Sequence, residues 1–408
     1  MTKYPNSTLG EVASITSGIG FPLNFQGKKA GDYPFAKVGD ISRLARSGRS
    51  RLLSADNYID QDELSNFGGR TIPEGSIVFA KIGEAIRQNF RAIVATPCLV
   101  DNNVMAITPN QNLLDSNYAY HLTRSINFYA LADATTVPSI RKTTLARVEI
   151  PLPSLGEQRR IAEVLDRADA LRAKRRQSIT LLDDLARSLF LDMFGDPASN
   201  PQEWPVHTIG DLLESANYGT SEKSSTVGEI PVLRMGNITS DGRVILNDLK
   251  YMSGDIDDRH MVRTSDILFN RTNSADLVGK TALYKGSEPM AYAGYLVRIR
   301  TNSNSTPEYV SSFLNTAYAK RVLRGMCKSI VGMANINAKE LQAIRIAQPP
   351  LVLQHEFASR TNIIDAARST HAVHLAHLDA LFASLQSRAF RGELWQDDLD
   401  HLEGEELP

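Results

Sequence analysis

The sequence predicts a mixed α+β fold in which two α/β units are separated by two long helices that pair as an antiparallel coiled coil with pseudo-twofold symmetry. Three observations carry this. First, the chain is written twice: PLPSLGEQRRIA at 151–162 aligns with AQPPLVLQHEFA at 347–358 at a shift of 196 residues. Second, the same shift, without insertion or deletion, matches SIRKTTLARVEI (139–150) to NINAKELQAIRI (335–346), and Ser188, Leu189 and Phe194 to Ser384, Leu385 and Phe390. Third, upstream landmarks recur at drifting shifts: LGEV (9–12) with IGDL (209–212), FAKVGDIS (35–42) with VLRMGNIT (232–239), and GSIVFAKIG (75–83) with SDILFNRTN (265–273). A loop-variable α/β unit therefore precedes a length-conserving helix, and the pair occurs twice.

In chain order, residues 1–150 form the first α/β unit, with strands around Phe35–Val38, Ile77–Ala80 and Val104–Ile107 and a helix near Asn117–Phe128; short apolar runs bounded by Gly, Pro, Asn and Asp favour strand. Residues 151–195 are the first spacer helix. Pro151 and Pro153 forbid helix upstream of it, and Ser154 with Glu157 forms a capping box. DPASNPQEWP (196–205) is the clearest linker, and residues 196–346 form the second unit. Its strands are Val232–Met235, Ile267–Asn270 and Tyr295–Ile299, and its helix is Pro307–Leu323. Residues 347–392 are the second spacer helix, begun by Pro349 and Pro350 alone, and 393–408 are an acidic tail.

Heptad positions give the pairing seam: Ile161, Val164, Ala168, Leu171, Leu182, Leu185 and Leu189 on the first helix, and Phe357, Ile364, Ala367, Leu378, Leu381 and Leu385 on the second. Both seams are apolar at their ends and polar in the middle, where Arg175 and Ser178 answer His371 and His374, so antiparallel packing opposes the polar centres. Each helix of about 35 residues makes a rod of roughly 50 Å.

The 408 residues are 42% hydrophobic and 22% charged, a globular mixture. No run of 18 apolar residues and no secretory h-region occurs, so a cytoplasmic protein without a membrane span is expected. Two isolated cysteines, Cys98 and Cys327, build neither a disulfide framework nor a CxxC site. The net charge of −1 conceals an uneven distribution: residues 1–200 hold 24 basic against 21 acidic side chains and 201–392 hold 21 against 18, while the last sixteen residues carry seven acids and no base. A mildly basic body permits a nucleic-acid partner.

Several motifs suggest chemistry and fail on spacing. SADLVGKT (274–281) lacks the first glycine of a phosphate loop and runs into a strand. His371, His374 and His377 cannot share one helix face, so no metal site is expected. Asn200-Pro-Gln-Glu203 lacks the second proline and the aromatic of an amino-methyltransferase loop, and Asp241 with Asp248-Leu-Lys250 is a poor match to a nuclease D…DxK pattern.

A variable unit followed by a helix opening IPLPSLGEQRRIAEVLD, all repeated once, resembles the DNA-specificity subunit of type I restriction-modification enzymes. The resemblance spans essentially the full chain. It rests on P-L-x-x-Q (Pro153, Leu155, Gln158; Pro350, Leu351, Gln354), on the G-[DN]-I turns at Gly39-Asp40-Ile41 and Gly236-Asn237-Ile238, and on DILFNRTNSADLVGKTALY at 266–284. It implies that the α/β units are target-recognition domains, each reading one half of an asymmetric bipartite double-stranded DNA site across a gap held by the spacer helices. Half-sites roughly 34–36 Å apart present one groove face to both readers. It also implies two modification (methyltransferase) subunits and restriction (translocase and endonuclease) subunits as partners. S-adenosylmethionine, ATP and Mg are then expected on those partners, and no cofactor or catalytic residue on this chain. The alternative is a duplicated coiled-coil adaptor without DNA specificity.

Candidate DNA contacts follow from residue chemistry. ISRLARSGRSR (41–51) offers Arg43, Arg46, Arg49 and Arg51 in a loop-like Gly/Ser context without an acid, and arginine suits phosphates and guanine edges. Lys81, Arg141 and Lys142 join them in the first domain. Arg234, Asn270, Arg271, Asn273, Asn335 and Asn337 are the candidates in the second, with amides suited to adenine.

Overall fold

The computed structural model describes residues 3–134, 136–274, 277–330 and 333–395, and the chain separates into two compact units, Met1–Gln177 with His371–Pro408, and Ser178–Thr370. Each unit therefore takes one α/β region, the N-terminal part of the helix that follows it, and the C-terminal part of the other helix. The helices are Leu155–Phe194 and Leu351–Arg391, of 40 and 41 residues.

In the first unit a five-stranded sheet runs Ala13–Ser17, Val104–Pro109, Ile77–Ala80, Ala92–Val94, Arg51–Leu52, antiparallel except for the last pair. A three-stranded sheet orders Tyr58–Ile59, Tyr33–Ala36 and Leu99–Val100. In the second unit Leu213–Tyr218, Leu296–Thr301, Ile267–Asn270 and Thr281–Leu283 form one four-stranded sheet, and Lys250–Met252, Ile230–Leu233, Met290–Tyr292 and Met261–Val262 another. Strands expected at Ile77–Ala80 and Ile267–Asn270 fall where the sequence places them. The helix expected over Pro307–Leu323 is two, Pro307–Leu314 and Ala317–Met326, because the Thr316 hydroxyl accepts from the Ala319 amide at 3.1 Å and starts a new helix.

The G-[DN]-I motif is not a plain turn. In the first unit it opens the helix Val38–Arg46, and in the second the 3-10 turn Met235–Asn237. Asp40 accepts from the Lys37 amide (2.8 Å) and Asn237 from the Arg234 amide (2.9 Å), both from buried positions. The motif thus serves the backbone, which explains why a carboxylate and an amide interchange there.

The repeat is reproduced at the helix starts down to single hydrogen bonds. Buried Gln158 accepts from the Asp115 amide (2.8 Å) and donates to Leu113 O and Pro153 O (both 2.9 Å). Buried Gln354 accepts from the Thr306 amide (2.9 Å) and the Ser305 hydroxyl (3.0 Å), and donates to Pro349 O (2.8 Å). Asp115 and Thr306 cap the helices Ser116–Ser125 and Pro307–Leu314, so each glutamine ties a spacer helix to the first turn of a domain helix. Tyr118 donates to Pro151 O and Tyr309 to Ala347 O, and Phe390 and Phe194 pack edge-on against these two tyrosines.

Within each unit the helix segments run antiparallel. In the first, Arg172 binds Asp379 at 2.6 Å and Asp169 at 2.7 Å with its guanidinium 4.3 Å from the Phe382 ring centroid, and Arg176 also reaches Asp379 at 2.9 Å. In the second, Arg368 binds Asp183 at 3.4 Å and Asp365 at 3.1 Å. A shift of 196 maps Arg172 onto Arg368, Asp169 onto Asp365 and Asp183 onto Asp379, so the two interhelix pairs are one pair made twice. Arg175 meets its own repeat counterpart, Nη1 lying 2.7 Å from His371 Nδ1. Arg175 and His371 of the polar middle therefore pack between the helices, whereas His374 is exposed.

The apolar seam differs from the heptad reading. Ile161, Ala168, Phe357 and Ile364 are buried, and Val164, Leu182, Leu189, Ala367, Leu378 and Leu385 half-buried, whereas Leu171, Leu185 and Leu381 are 53%, 51% and 50% exposed. Ile161 with Leu165, and Phe357, belong to the domain cores, and Phe382 and Phe190 replace the neighbouring leucines. The domains dictate the helix face at each end, so a strict heptad has the wrong phase there. The capping box is half present: the Glu157 amide donates to Ser154 Oγ at 3.3 Å, but the Glu157 carboxylate accepts from the Tyr4 hydroxyl and the Trp395 indole instead. Leu394 and Trp395 thus pack on their own unit and are no part of a free tail; the acidic run 396–408 lies outside the described residues.

Candidate DNA-reading surfaces

Two basic regions face outward from the first unit. The segment 41–51 is largely helical rather than a loop, and its arginines are partly engaged. Arg43 pairs with Asp56 and, at 3.3 Å, with Asp40; Arg46 lies 5.8 Å from the Phe90 ring centroid. Arg49 donates to Ser47 Oγ at 3.0 Å and Arg51 to Asn117 Oδ1 at 3.1 Å. Arg43, Arg49 and Arg51 line a cavity of about 550 Å³ against the spacer-helix residues Asp166, Asp169 and Ala173. Against the opposing pull of burial, the Arg124 guanidinium, followed by Arg172 and His121, holds the Asp169 carboxyl below its ordinary value.

The second region lies at the end of strand Ile77–Ala80. The Ile140 amide donates to Lys81 O at 2.9 Å, which brings Lys81 beside the helix Lys142–Ala146 and its cap Arg141. Burial, and then the Lys142 charge, lowers the Lys81 ammonium. Arg141 is held by Asp133 at 2.7 Å. Lys81 and Lys142, far apart in sequence, thus form a local excess of positive charge.

The second unit builds the same place with other residues. The Ile336 amide donates to Arg271 O at 2.9 Å, which reproduces the Ile140–Lys81 bond and sets Arg271 where Lys81 stands. The Arg271 guanidinium lies 4.7 Å from the Tyr218 ring centroid. Asn335 Oδ1 accepts from the Thr272 hydroxyl, Asn273 Oδ1 from the Ser274 amide, and Asn337 caps the helix Ala338–Gln342 by accepting from the Glu340 amide at 2.9 Å. Asn337 therefore has a backbone duty already. Asn270 is a correction: it is fully enclosed at the strand's end, so its side chain is not on the surface. Arg234 donates to the Asp248 carbonyl and carboxylate at 3.0 Å.

The residues that sequence reasoning passed over are Lys280, Lys320 and Arg324 in the second unit; no motif marks them, and only folding brings 280 and 320 together. The other motifs weighed on the sequence find ordinary roles. Asp248 pairs with Arg234 and Lys250, Asp241 with Arg243, and His371 with Arg175. Among the described residues no group of three His, Cys, Asp or Glu side chains is placed to hold a metal ion, and no helix is long and apolar enough to cross a membrane.

A family model for the type I restriction modification DNA specificity domain matches residues 1–181 and again 201–372. Among curated proteins, the chain is 25% identical over 420 residues to the type I restriction enzyme StySPI specificity subunit of Salmonella potsdam, covering 90% of each. It is 26% identical over 328 residues to the EcoKI specificity subunit of Escherichia coli K12, covering 72% of this chain and 70% of that one. Among solved structures, the S subunit of a type I restriction-modification system from M. genitalium matches 95% of this chain and 96% of its own with a TM-score of 0.60 at 15% identity, a likeness of fold.

Proposed function

The chain belongs to the family of type I restriction-modification DNA specificity subunits, and from that premise we infer that it reads an asymmetric bipartite DNA sequence, one half-site per α/β domain, while scaffolding the catalytic subunits. The observation that carries the asymmetry is the pair of equivalent strand ends. The same backbone bond, from Ile140 to Lys81 and from Ile336 to Arg271, presents Lys81 with Lys142 in one domain and Arg271 with Asn335 in the other. A lysine is a point charge suited to phosphate, whereas a guanidinium and an amide can also address guanine and adenine edges. Equal scaffolds with unequal chemistry read unequal half-sites.

On this reading the chain is a reader without catalysis of its own. Methylation of adenine N6 with S-adenosylmethionine is assigned to two modification subunits, and ATP- and Mg-dependent translocation and cleavage to restriction subunits, all in the cytoplasm. The decisive experiment exchanges residues 1–150 for the corresponding domain of another specificity subunit and maps methylation in a host that supplies the modification partner. One half of the methylated sequence should change and the other persist; alteration of both halves rules out one reader per half-site. The adaptor alternative predicts no sequence-specific methylation at all.

A further inference from the structure

At the sheet end that presents Arg271 the second recognition domain places cations that are at least partly exposed, Lys280, Lys320 and Arg324, whereas the cation before the equivalent strand of the first domain, Arg91, is buried. Strand Ile267–Asn270 pairs with Thr281–Leu283 so that Phe269 faces Thr281, and the next rung sets Asn270 against Lys280, with the Asn270 amide donating to Lys280 O at 2.8 Å. Directly opposed residues share a face of the sheet, and on that face Lys280 Nζ donates to Met235 O at 3.0 Å and also to Ile238 O. From the helix Ala317–Met326, Lys320 Nζ reaches Gly279 O at 2.7 Å, one residue from Lys280. Arg324 stands one turn on from Lys320, and the ten residues of this helix include three cations and no acid.

The two lysines are met by carbonyl oxygens and, among the described residues, by no carboxylate, while Arg324 is exposed. Burial pushes the Lys320 ammonium down to about 8, and Arg324 and then Lys280 press in the same direction. Taking an ammonium out of water without a counter-charge is unfavourable, and Lys280 and Lys320, being only half-buried, stay within reach of an anion from solution. The Asn270 side chain, opposed to Lys280 across the strand pair, is fully buried with neither Oδ1 nor Nδ2 partnered.

The first domain supplies an internal control. The 190-residue shift that maps Ile77–Ala80 onto Ile267–Asn270 puts Ala80 at the place of Asn270 and Phe90 at that of Lys280. The 191-residue shift that maps Asp115 onto Thr306 puts Tyr129 at Lys320 and Asp133 at Arg324. Tyr129 is covered by Arg87, itself paired with Glu84, and Asp133 is paired with Arg141; the remaining cation there, Arg91, is buried with its guanidinium on Phe90 O and Asn89 Oδ1, so it is walled off from any ligand.

We propose that Lys280, Lys320 and Arg324 form a phosphodiester anchor peculiar to the second domain, gripping the DNA backbone beside its half-site without reading a base. This rests on the function proposed above and adds an energetic asymmetry: the second half-site contributes more of the salt-dependent affinity. The test uses the full chain in complex with its modification subunits and a fluorescent duplex bearing the mapped target. Replacing two phosphate contacts, in the double variant Lys280→Ala and Lys320→Ala, should lower the slope of log K against log salt by roughly two while leaving discrimination between target and altered sequences intact. Lys280→Arg with Lys320→Arg should restore the slope. A scan of methylphosphonate substitutions against the unmodified complex, which involves no altered protein, should show loss of affinity beside the half-site assigned to residues 196–346. An unchanged slope in the alanine variant, or a scan silent at that half-site, overturns the anchor. A parent complex that does not discriminate its target overturns the function itself.

Discussion

The helix starts and the strand ends of this molecule obey opposite rules. At the starts, Gln158 and Gln354 repeat the same two hydrogen bonds, from a helix-cap amide and to a proline carbonyl, and Tyr118 and Tyr309 the same carbonyl contact. At the strand ends, the two domains share a backbone bond and little else: Lys81 against Arg271, Ala80 against Asn270, Phe90 against Lys280. The groups that set geometry are duplicated, and the side chains at the strand ends, where DNA contact is proposed, diverge. A duplicated reader needs both, since altering the frame would misplace whatever the strand ends recognise.

The sharpest way to break this contrast is to remove a framework glutamine. Gln158→Ala strands the Asp115 amide and two carbonyls in a dry site, and each buried group left unpaired costs about 1–3 kcal/mol. We expect a loss of about 3 kcal/mol in urea unfolding, with exchange protection falling in the unit that holds residues 1–177; Gln354→Ala should do the same to 178–370. A loss under about 0.5 kcal/mol for either would show that the repeated bonds are incidental.

The interhelix pairs come next. Arg172 touches two aspartates and an aromatic ring, and its counterpart Arg368 makes longer contacts. Arg172→Ala should cost about 1–2 kcal/mol and no more, because Asp379 and Asp169 retain Arg176 and Arg124, and Arg368→Ala about half as much, because its contacts are longer. Acid offers a second readout. With its folded-state value depressed, Asp169 contributes stability above the ordinary aspartate range that is lost as pH falls through the lowered value. Arg172→Ala should narrow that gap, so its own cost diminishes in strong acid; a cost independent of pH would exclude the charge pair as its origin.

At the strand ends the expected effects are on binding. Lys81→Ala and Arg271→Ala should each leave folding intact and flatten the salt dependence of DNA affinity by about one unit. Only Arg271→Ala should relax base preference, at the second half-site alone. Equal effects of both substitutions on both half-sites would erase the distinction drawn between point-charge and bidentate readers.

Much of this architecture is legible in the sequence because it is repeated. The shift of 196 locates both long helices and their antiparallel pairing, and the strands Ile77–Ala80 and Ile267–Asn270 follow from apolar runs closed by polar residues. The site was less legible, for physical reasons. Arg43 and Asp56 are thirteen residues apart in a stretch that reads as loop, yet a helix brings them together. Asn270 looks like a base reader by type, but its place on a buried strand is a property of the sheet. Lys280 and Lys320 belong to no motif and become neighbours only when a helix packs over Gly279.

The smallest expected effect tests the boundary between frame and surface on the helices themselves. Leu185 and Leu381 are repeat equivalents, 51% and 50% exposed, although heptad spacing assigns both to the pairing seam. A leucine in a true seam loses about 2–5 kcal/mol on truncation, while one already half in water forfeits a small part of that. Leu185→Gln and Leu381→Gln should therefore move the unfolding free energy of the isolated chain by less than about 0.5 kcal/mol, whereas Phe382→Ala, one residue from Leu381 and 6% exposed, should cost about 3 kcal/mol. If the leucine variants cost as much as the phenylalanine, the heptad phase is correct and the helix faces are not set by the domains they enter. If they do not, duplication has preserved two exposed leucines that the chain's own stability does not need, and the pressure keeping them lies outside this chain.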